Sequence, residues 1–473
     1  MNQFPCHSVR CHLHRWLPLA LAVLLWAVPC MHSALPTQLN PHDFARLVQL
    51  GVLLMAAAVW TFSLPTRSHS RIFAKHWPHV VLGLLVAASC VHAAHPLVAA
   101  REVAVFVGLL LLALQLSRGF AEPDVRDRFL DLITIGAAVY GVIWSLTLLI
   151  GAALNQDLFA PWEVIFGFDN ARFLNHVQSI SLPLAGVVLL RPAAPRWLRA
   201  AAAIALITGG AILSLYLARA SILGLTVAAI VTVTIFGRLS WRYVLTMVAT
   251  LGSGAAAVGL LWLIWLQHSS AAMTDGILNS HFRGFLVGQA IDLFASSPWL
   301  GVGPMHFSNT VNLVAAHPHN VYAQVIAEYG LPATLLIVWL AFNFLRRAFV
   351  NVSRLSKTQP VLAAALTSAT VAVLVDSAFS GNWVMPISQM WIAVLAAFLL
   401  AVDSNDAHAP VQVHQAQPRI ILRGLVLSVM AAFTIQAVTE ARDDIPHIHT
   451  GESMKKPIGE QFLAFRFWSY GWF

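Results

Sequence analysis

About thirteen apolar segments, each close to the length of a membrane-spanning helix, follow one another along the 473 residues of this chain. A helix needs roughly 20 mainly apolar residues to cross a bilayer, and lipid offers its backbone groups no hydrogen-bond partners. We therefore expect an all-α, polytopic membrane helical bundle of about thirteen transmembrane helices. The segments lie near residues 16–34, 47–65, 79–97, 102–117, 129–153, 176–190, 198–217, 220–237, 243–266, 321–345, 361–380, 386–402 and 422–439.

The composition indicates which solvent this chain requires. Hydrophobic residues make up 58% of the positions and charged residues 10%, whereas a soluble domain carries roughly 25% charged residues. The formal net charge is +8, but the basic residues stand in short loops and form no stripe interleaved with aromatic residues. They indicate topology signals and contacts with anionic membrane lipid, and they argue against a nucleic-acid partner.

The distribution of lysine and arginine predicts the orientation. With the N-terminus in the cytoplasm, 19 of the 28 Lys and Arg residues fall on the cytoplasmic side, as the positive-inside rule favours. The expected organisation is nine spans with short loops in 1–266, a large outer loop in 267–320, four spans in 321–439 and an outer tail in 440–473.

An amphipathic helix is predicted inside the large outer loop, over residues 280–296. Phe282, Phe285, Leu286 and Leu293 recur at helical spacing, so we expect them to share one side. The segment is too short and too polar to cross a bilayer, and we expect it to lie at the membrane surface.

The segment His317-Pro-His-Asn320 stands where the outer loop meets the tenth apolar segment. A histidine in such a place is suited to proton transfer near neutral pH, and His319 is our candidate general base. A metal site is the alternative for His317 and His319, but a pair of histidines without a third ligand is weak evidence for one. We expect neither a metal nor another cofactor.

A polar stripe continues from this segment into the apolar helix. Asn320, Gln324 and Glu328 recur every four residues and so share one helix face. Asn320 also suits the N-cap of that helix. Polar groups inside a span are costly enough to suggest function, so this stripe and Tyr322 are candidate supporting residues. The alternative is a capped helix whose polar groups are satisfied at the membrane surface.

Three arginines on the outer side are candidates for binding a phosphate group. They are Arg219 at the end of an apolar segment, Arg283 in the large loop and Arg172 in an earlier outer segment. A guanidinium offers planar, bidentate donors to an oxyanion. The alternative is that Arg219 extends to the membrane surface without binding a ligand.

Two further features have open alternatives. The segment Pro298–Pro304 is rich in proline and glycine, so its backbone either approaches a ligand closely or simply turns. Asp376 lies late in the eleventh apolar segment, where it either pairs with an arginine or is hydrated at the membrane surface. An intramembrane carboxylate also fits a transporter, but we find no inverted repeats or matched broken spans, which transporters often show.

These motifs together resemble the O-antigen ligases and the related polymerases and protein O-oligosaccharyltransferases. His319-Asn320, nine residues and then Gly330-Leu-Pro-Ala333 resemble the family signature, in which a second glycine stands where this chain has Ala333. The other stretches that resemble the family are Asp169-Asn-Ala-Arg172 through Pro183, Arg219-Ala-Ser221, and Arg283 with Pro298–Gly303 and Phe307.

The resemblance implies a membrane enzyme that moves a glycan from undecaprenyl diphosphate to a hydroxyl acceptor without a metal. Its site would face the periplasm from the bacterial inner membrane, and the large outer loop would be periplasmic. The acceptor would be lipid A–core in a ligase, which we favour, another lipid-linked repeat unit in a polymerase, or a Ser or Thr of a protein in an O-oligosaccharyltransferase. Arg219, Arg283 and Arg172 would bind the donor diphosphate, and His317 would support His319.

Overall fold

A computed structural model of the protein describes most of the chain. The described residues are 9–32, 34, 39–62, 73–154, 164–263, 281–310, 312, 314–404, 420–443 and 466–469. Within them the chain forms fourteen α-helices. The helices are α1 (Val9–His32), α2 (Pro41–Phe62), α3 (Phe73–His92), α4 (Pro96–Phe120), α5 (Pro123–Leu154), α6 (Ala171–Leu190), α7 (Arg196–Leu215), α8 (Arg219–Phe236), α9 (Arg238–Leu261), α10 (His281–Ser296), α11 (Val321–Leu355), α12 (Pro360–Asp376), α13 (Pro386–Ser404) and α14 (Ile420–Asp443).

The helical membrane bundle predicted from the apolar segments is confirmed. Ten of the described helices are long and apolar enough to cross a membrane, and three shorter apolar helices accompany them. Large apolar side chains such as Leu84, Ile230 and Leu335 are exposed on the helix surfaces. Exposed apolar side chains at this density would be unfavourable in water and are expected in contact with lipid. The protein is therefore a multi-pass membrane protein.

The centre of the bundle is formed by α6 and α12, which pack against each other and are buried along most of their length. Small residues allow close packing around them, and a Cβ on Gly224 of α8 would come within 2.7 Å of the carbonyl oxygen of Ala372 in α12. Polar side chains are nevertheless buried on α6, among them Asn175, His176 and Gln178. Buried polar groups in a membrane bundle are costly, so these residues indicate a functional role for this end of α6.

The long helix α11 is broken at Gly330, whose backbone adopts φ 73° and ψ 173°. The segment Pro298–Pro304 packs onto this break. Leu331 donates its N–H to the carbonyl of Pro298 at 2.8 Å, and Gly303 donates to the carbonyl of Glu328 at 3.0 Å. The backbone of the glycine-rich segment therefore approaches the opened turn of α11, where it satisfies carbonyl and N–H groups that the helix has lost.

Helix α10 matches the predicted surface helix of the large loop, but one of its predicted positions is wrong. Leu286 and Ala290 are buried and Leu293 is partly buried, whereas Phe285 is 55% exposed. Positions 286, 290 and 293 follow the repeat of 3.6 residues, and position 285 lies about 100° away from 286 around the helix. The side chain of Phe282 lies outside the described residues.

Candidate functional site

The first turns of helices bring the predicted phosphate-binding arginines to one end of the bundle. Arg172 is the second residue of α6, and the side chain of Asn170 caps that helix by accepting the Arg172 N–H at 2.9 Å. Arg219 is the first residue of α8. The two guanidinium groups lie close enough to interact electrostatically. Because helix N-termini also carry partial positive charge, two helix ends and two arginines favour the same anion.

Arg283 joins these two arginines from α10. Burial lowers the pKa of Arg283, the charges of Arg172 and Arg219 lower it further, and Asp376 raises it in part. Within the described residues, neither Arg172 nor Arg283 lies within ion-pair distance of a carboxylate. Among the described residues, Arg172, Arg219 and Arg283 are close enough to act on one another's charge. Such a cluster of guanidinium groups suits an anionic group with more than one charge.

His319 lies next to these arginines, in the turn that precedes α11. Its backbone has a positive φ of 51°, a conformation that is uncommon outside glycine and recurs at functional sites. Burial, followed by the charges of Arg172, Arg283 and His176, lowers the pKa of His319 from 6.5 to about 3. The imidazole is therefore neutral at neutral pH and can accept a proton.

His317 holds the turn that presents His319. Its Nδ1 accepts the N–H of His319 at 3.3 Å, and the two rings meet edge to face at 4.1 Å between centroids. His317 is buried, and the backbone of Gly381 lies so close to its ring that a Cβ there would clash. Burial keeps the pKa of His317 well below 6.5, and nearby positive charges lower it further. A neutral ring with Nδ1 as acceptor follows.

The predicted polar stripe is present, but it is directed into the protein. Asn320 caps α11 by accepting the N–H of Ala323 at 2.9 Å, as predicted. Gln324 donates to Glu328 at 3.2 Å, and both side chains are buried. Tyr322 is exposed and donates to the carbonyl of Leu374 at 2.8 Å. These contacts favour the interpretation in which the stripe supports the turn of His319 without facing an open cavity.

A histidine that the sequence analysis did not select lies beside His319. His176 of α6 meets Asp376 of α12 with 2.9 Å between Nδ1 and Oδ2, and both side chains are buried. Ser221 Oγ lies 3.4 Å from the other carboxylate oxygen. Asp376 is therefore buried and not hydrated at the surface, and its ion-pair partner among the described residues is His176, whereas Arg283 acts on it only electrostatically. The cost of an ionisable residue in a span was a signal for His176, but its partner is 200 residues away.

The short segment Arg466–Ser469 was also not predicted from the sequence to contribute to the site. Arg466 is 2% exposed, and its Nη2 lies 2.9 Å from both carboxylate oxygens of Glu102 and of Glu328. The charge of Arg466 also acts on His317. The segment therefore lies at the same end of the bundle as the candidate site. Residues 444–465, which precede it in the predicted outer tail, lie outside the described residues.

Comparison with known proteins bears on these observations. The family model described as O-antigen ligase matches residues 202–338, a range that contains Arg219, Arg283 and His319. No curated protein matches the chain. The family match confirms the resemblance to the O-antigen ligase superfamily, whose members are glycosyltransferase-like membrane enzymes.

Proposed function

We propose that this chain, whose residues 202–338 match the O-antigen ligase family, moves a glycan from undecaprenyl diphosphate to an acceptor hydroxyl. The transfer takes place on the periplasmic face of the bacterial inner membrane. The favoured acceptor is lipid A–core, and a lipid-linked repeat unit or a protein Ser or Thr are the alternatives within the superfamily. The observation that carries the proposal is the cluster of Arg172, Arg219 and Arg283 at one end of a membrane bundle, in which Arg172 and Arg283 act electrostatically on a neutral His319.

The arginines hold the diphosphate of the donor. Arg172 and Arg219 stand in the first turns of α6 and α8, and Arg283 reaches the same place from α10. As the diphosphate departs, negative charge develops on the oxygen that joined it to the sugar. Cations already in position stabilise this charge in the transition state. Arginine is suited to this task because its two parallel donors match a phosphate edge.

His319 acts as the general base. It takes the proton of the acceptor hydroxyl while the oxygen forms a bond to the anomeric carbon of the donor. The bond from that carbon to the diphosphate oxygen breaks, and undecaprenyl diphosphate leaves with the electron pair. A single displacement of this kind inverts the anomeric centre. No metal or other cofactor is required by this scheme.

The arginines also control when His319 can act. Their charges disfavour an imidazolium, so His319 does not serve as a cationic phosphate ligand in the empty protein. A bound diphosphate offsets those charges and raises the pKa of His319 toward its ordinary value. The base is therefore strongest once the donor is in place, which couples deprotonation of the acceptor to the presence of a glycan.

The neighbouring pair His176–Asp376 extends this site. The contact between Nδ1 of His176 and Asp376 fixes the orientation of the ring and leaves its Nε2 for a further hydrogen bond. This second imidazole is close enough to His319 to affect it electrostatically. His176 is therefore placed to orient the acceptor hydroxyl toward His319.

The test uses purified protein in liposomes with undecaprenyl diphosphate-linked glycan and three acceptors offered separately: lipid A–core, a second lipid-linked repeat unit and a pilin-type protein. His319→Ala is compared with His79→Ala, which replaces an exposed histidine of α3. We expect the first variant to lose transfer by about 10²–10⁴-fold and the second to keep it. Near-normal transfer by a folded His319→Ala protein would remove the catalytic assignment.

The same assay separates the acceptor classes and the transporter alternative. The acceptor that gains glycan identifies the ligase, polymerase or protein glycosylation activity. A transporter would move the lipid-linked glycan between leaflets and leave its bond to diphosphate intact. Movement without transfer to any acceptor would therefore contradict the proposed function.

A further inference from the structure

The segment Arg466–Ser469 is built into the bundle. All four residues are buried, and Trp468 donates its indole N–H to Glu440 at 2.7 Å. Ser469 donates both its backbone N–H and its hydroxyl to Asp43, at 2.7 and 2.8 Å. The ring of Phe467 contacts two guanidinium groups, with its centroid 5.1 Å from the Cζ of Arg46 and 4.7 Å from the Cζ of Arg101. Burial together with these hydrogen bonds and ion pairs indicates a specific binding position.

Arg466 supplies the positive charge that neutralises two buried carboxylates. Glu328 is fully buried and Glu102 nearly so, and both carboxylates contact the same guanidinium nitrogen. Without Arg466, two buried carboxylates would face each other. Such an arrangement is strongly unfavourable, because neither desolvated charge would have its partner.

Glu328 in turn holds the loop that precedes the candidate base, His319. Its Oε1 accepts the backbone N–H of Phe307 at 3.0 Å, and its main-chain carbonyl accepts the N–H of Gly303 at 3.0 Å. Met305, between these two donors, adopts a positive φ of 69°. A strained backbone of this kind persists only where surrounding contacts hold it, and Glu328 supplies two of them.

The held loop is connected in turn to both halves of the candidate site. Asn312 accepts the N–H groups of Val314 and Ala315 at 2.8 and 2.9 Å, which shapes the approach to the histidine turn. Its Nδ2 donates to Gln289 of α10 at 3.0 Å. Since α10 also carries Arg283, a displacement of this loop would move the base and a phosphate-binding arginine relative to each other.

We propose that Arg466 is a positioning residue of the transferase site, which holds Glu328 and thereby the loop that carries His317 and His319. The 466–469 segment thus fixes the position of this loop through Glu328. Arg466 itself does not contact substrate in this arrangement. The inference rests on the proposed function for its effect on transfer, whereas its effect on the loop is independent of any activity.

The first experiment measures amide hydrogen exchange in peptides covering residues 301–319. We expect Arg466→Met to speed up this exchange on the order of 100-fold, because an unpaired buried carboxylate opens the contacts around Glu328. Arg238→Met, which replaces an exposed arginine of α9, is the matched control and should leave the exchange unchanged. Unchanged exchange in Arg466→Met would overturn the proposal.

A charge rescue separates positioning by ion pairing from simple packing. The double variant Arg466→Met with Glu102→Gln removes one of the two facing carboxylates and leaves Glu328 bonded to Phe307 and Gln324. We expect it to recover most of the lost protection and most of the lost kcat, with KM for the donor little changed. Equal loss in the single and double variants would show that Arg466 acts by packing alone and would overturn the proposal.

A milder variant keeps the test valid if Arg466→Met does not insert. Ser469→Ala removes one hydrogen bond to Asp43 at the other end of the segment, and several-fold faster exchange in 301–319 is expected from about one lost bond. No change there would show that the segment is not coupled to the loop. If the wild-type protein transfers no glycan to any acceptor, the proposed function is wrong, and the exchange results still decide whether Arg466 positions the loop.

Discussion

Two groups of three arginines lie at the same end of the bundle and differ in their partners. In the Arg466 cluster, Arg101 pairs with Glu440, Arg466 pairs with Glu102 and Glu328, and Arg46 donates to side-chain amides and backbone carbonyls. In the His319 cluster, Arg283 interacts electrostatically with Arg172 and Arg219, and Arg172 and Arg283 act on a neutral His319. The carboxylate of Asp376 acts electrostatically on Arg283 and is itself hydrogen-bonded to His176.

The difference separates a structural use of arginine from a functional one. Ion pairs between buried, oppositely charged groups hold segments together that are far apart in the chain. Like charges gathered around one point destabilise the empty protein, and the binding of an anion relieves the repulsion. We therefore expect substitutions in the Arg466 cluster to cost stability, and substitutions in the His319 cluster to cost activity while leaving stability unchanged or higher.

The largest expected effect on the free energy of unfolding lies in the Arg466 cluster. Arg101→Met removes the cation that pairs with Glu440 at 2.5 Å and leaves the carboxylate only its bonds from neutral donors such as Trp468. We expect the free energy of unfolding to fall by about 3 kcal/mol. Thermal unfolding in detergent measures this change, and Glu440→Gln in the same background should restore part of it. Arg238→Met is the control. If Arg101→Met unfolds at the wild-type temperature, the pair is not structural.

The second effect has the opposite sign for stability. Arg283→Gln should reduce transfer at low donor concentration by about 2–5 kcal/mol of transition-state stabilisation, since a desolvated charge contact is lost. Its unfolding temperature should be equal to or above that of the wild type, because burial and two neighbouring arginines already disfavour this charge. A lower unfolding temperature together with normal transfer would reverse the proposed division between the clusters.

The third effect concerns pH. His319 must be neutral to act as a base, so activity is lost as pH falls through its pKa, which is about 3 in the empty protein. A bound diphosphate raises that pKa, so the acid limb of kcat should lie at higher pH than that of kcat/KM, by about one unit or more. Arg283→Gln should raise the limb of kcat/KM, and Arg101→Met should not. Activity that instead falls with rising pH would indicate a cationic role for His319.

The smallest expected change in stability concerns α11, the helix that connects the two clusters. This helix carries Glu328 and begins next to His319. Asn320→Ala removes the N-cap bond to Ala323 and should lower the free energy of unfolding by about 1 kcal/mol. Asn343→Ala, within the same helix, is the comparison and should cost less. Equal effects of the two substitutions would mean that the cap contributes nothing specific.

Much of the candidate site could be predicted because its residues stand at the ends of apolar segments. Arg172, Arg219 and His319 each lie at or just before a helix start, where hydropathy changes sharply. Spans of one bundle end at the same two membrane surfaces, so residues at corresponding ends meet. Asn320 was identified as a cap because capping depends on the next three residues alone.

Other contacts depend on packing and left no local pattern. His176 and Asp376 are 200 residues apart, and Arg466 and Glu328 are 138 residues apart. Each residue alone indicated at most an unusual polar group near a membrane. The inward direction of Gln324 and Glu328 was likewise undetermined, because a stripe at helical spacing shows which residues share a face and not what that face contacts.

The sequence by itself determined that this protein is a helical membrane bundle, because the length and apolarity of each segment are local properties that lipid selects directly. It also determined which ends carry arginine and histidine. The tertiary structure alone decided which arginines form ion pairs with carboxylates and which gather near His319. That distinction depends on distances between helices far apart in the chain, and electrostatic energy depends on those distances and on burial, not on order along the sequence.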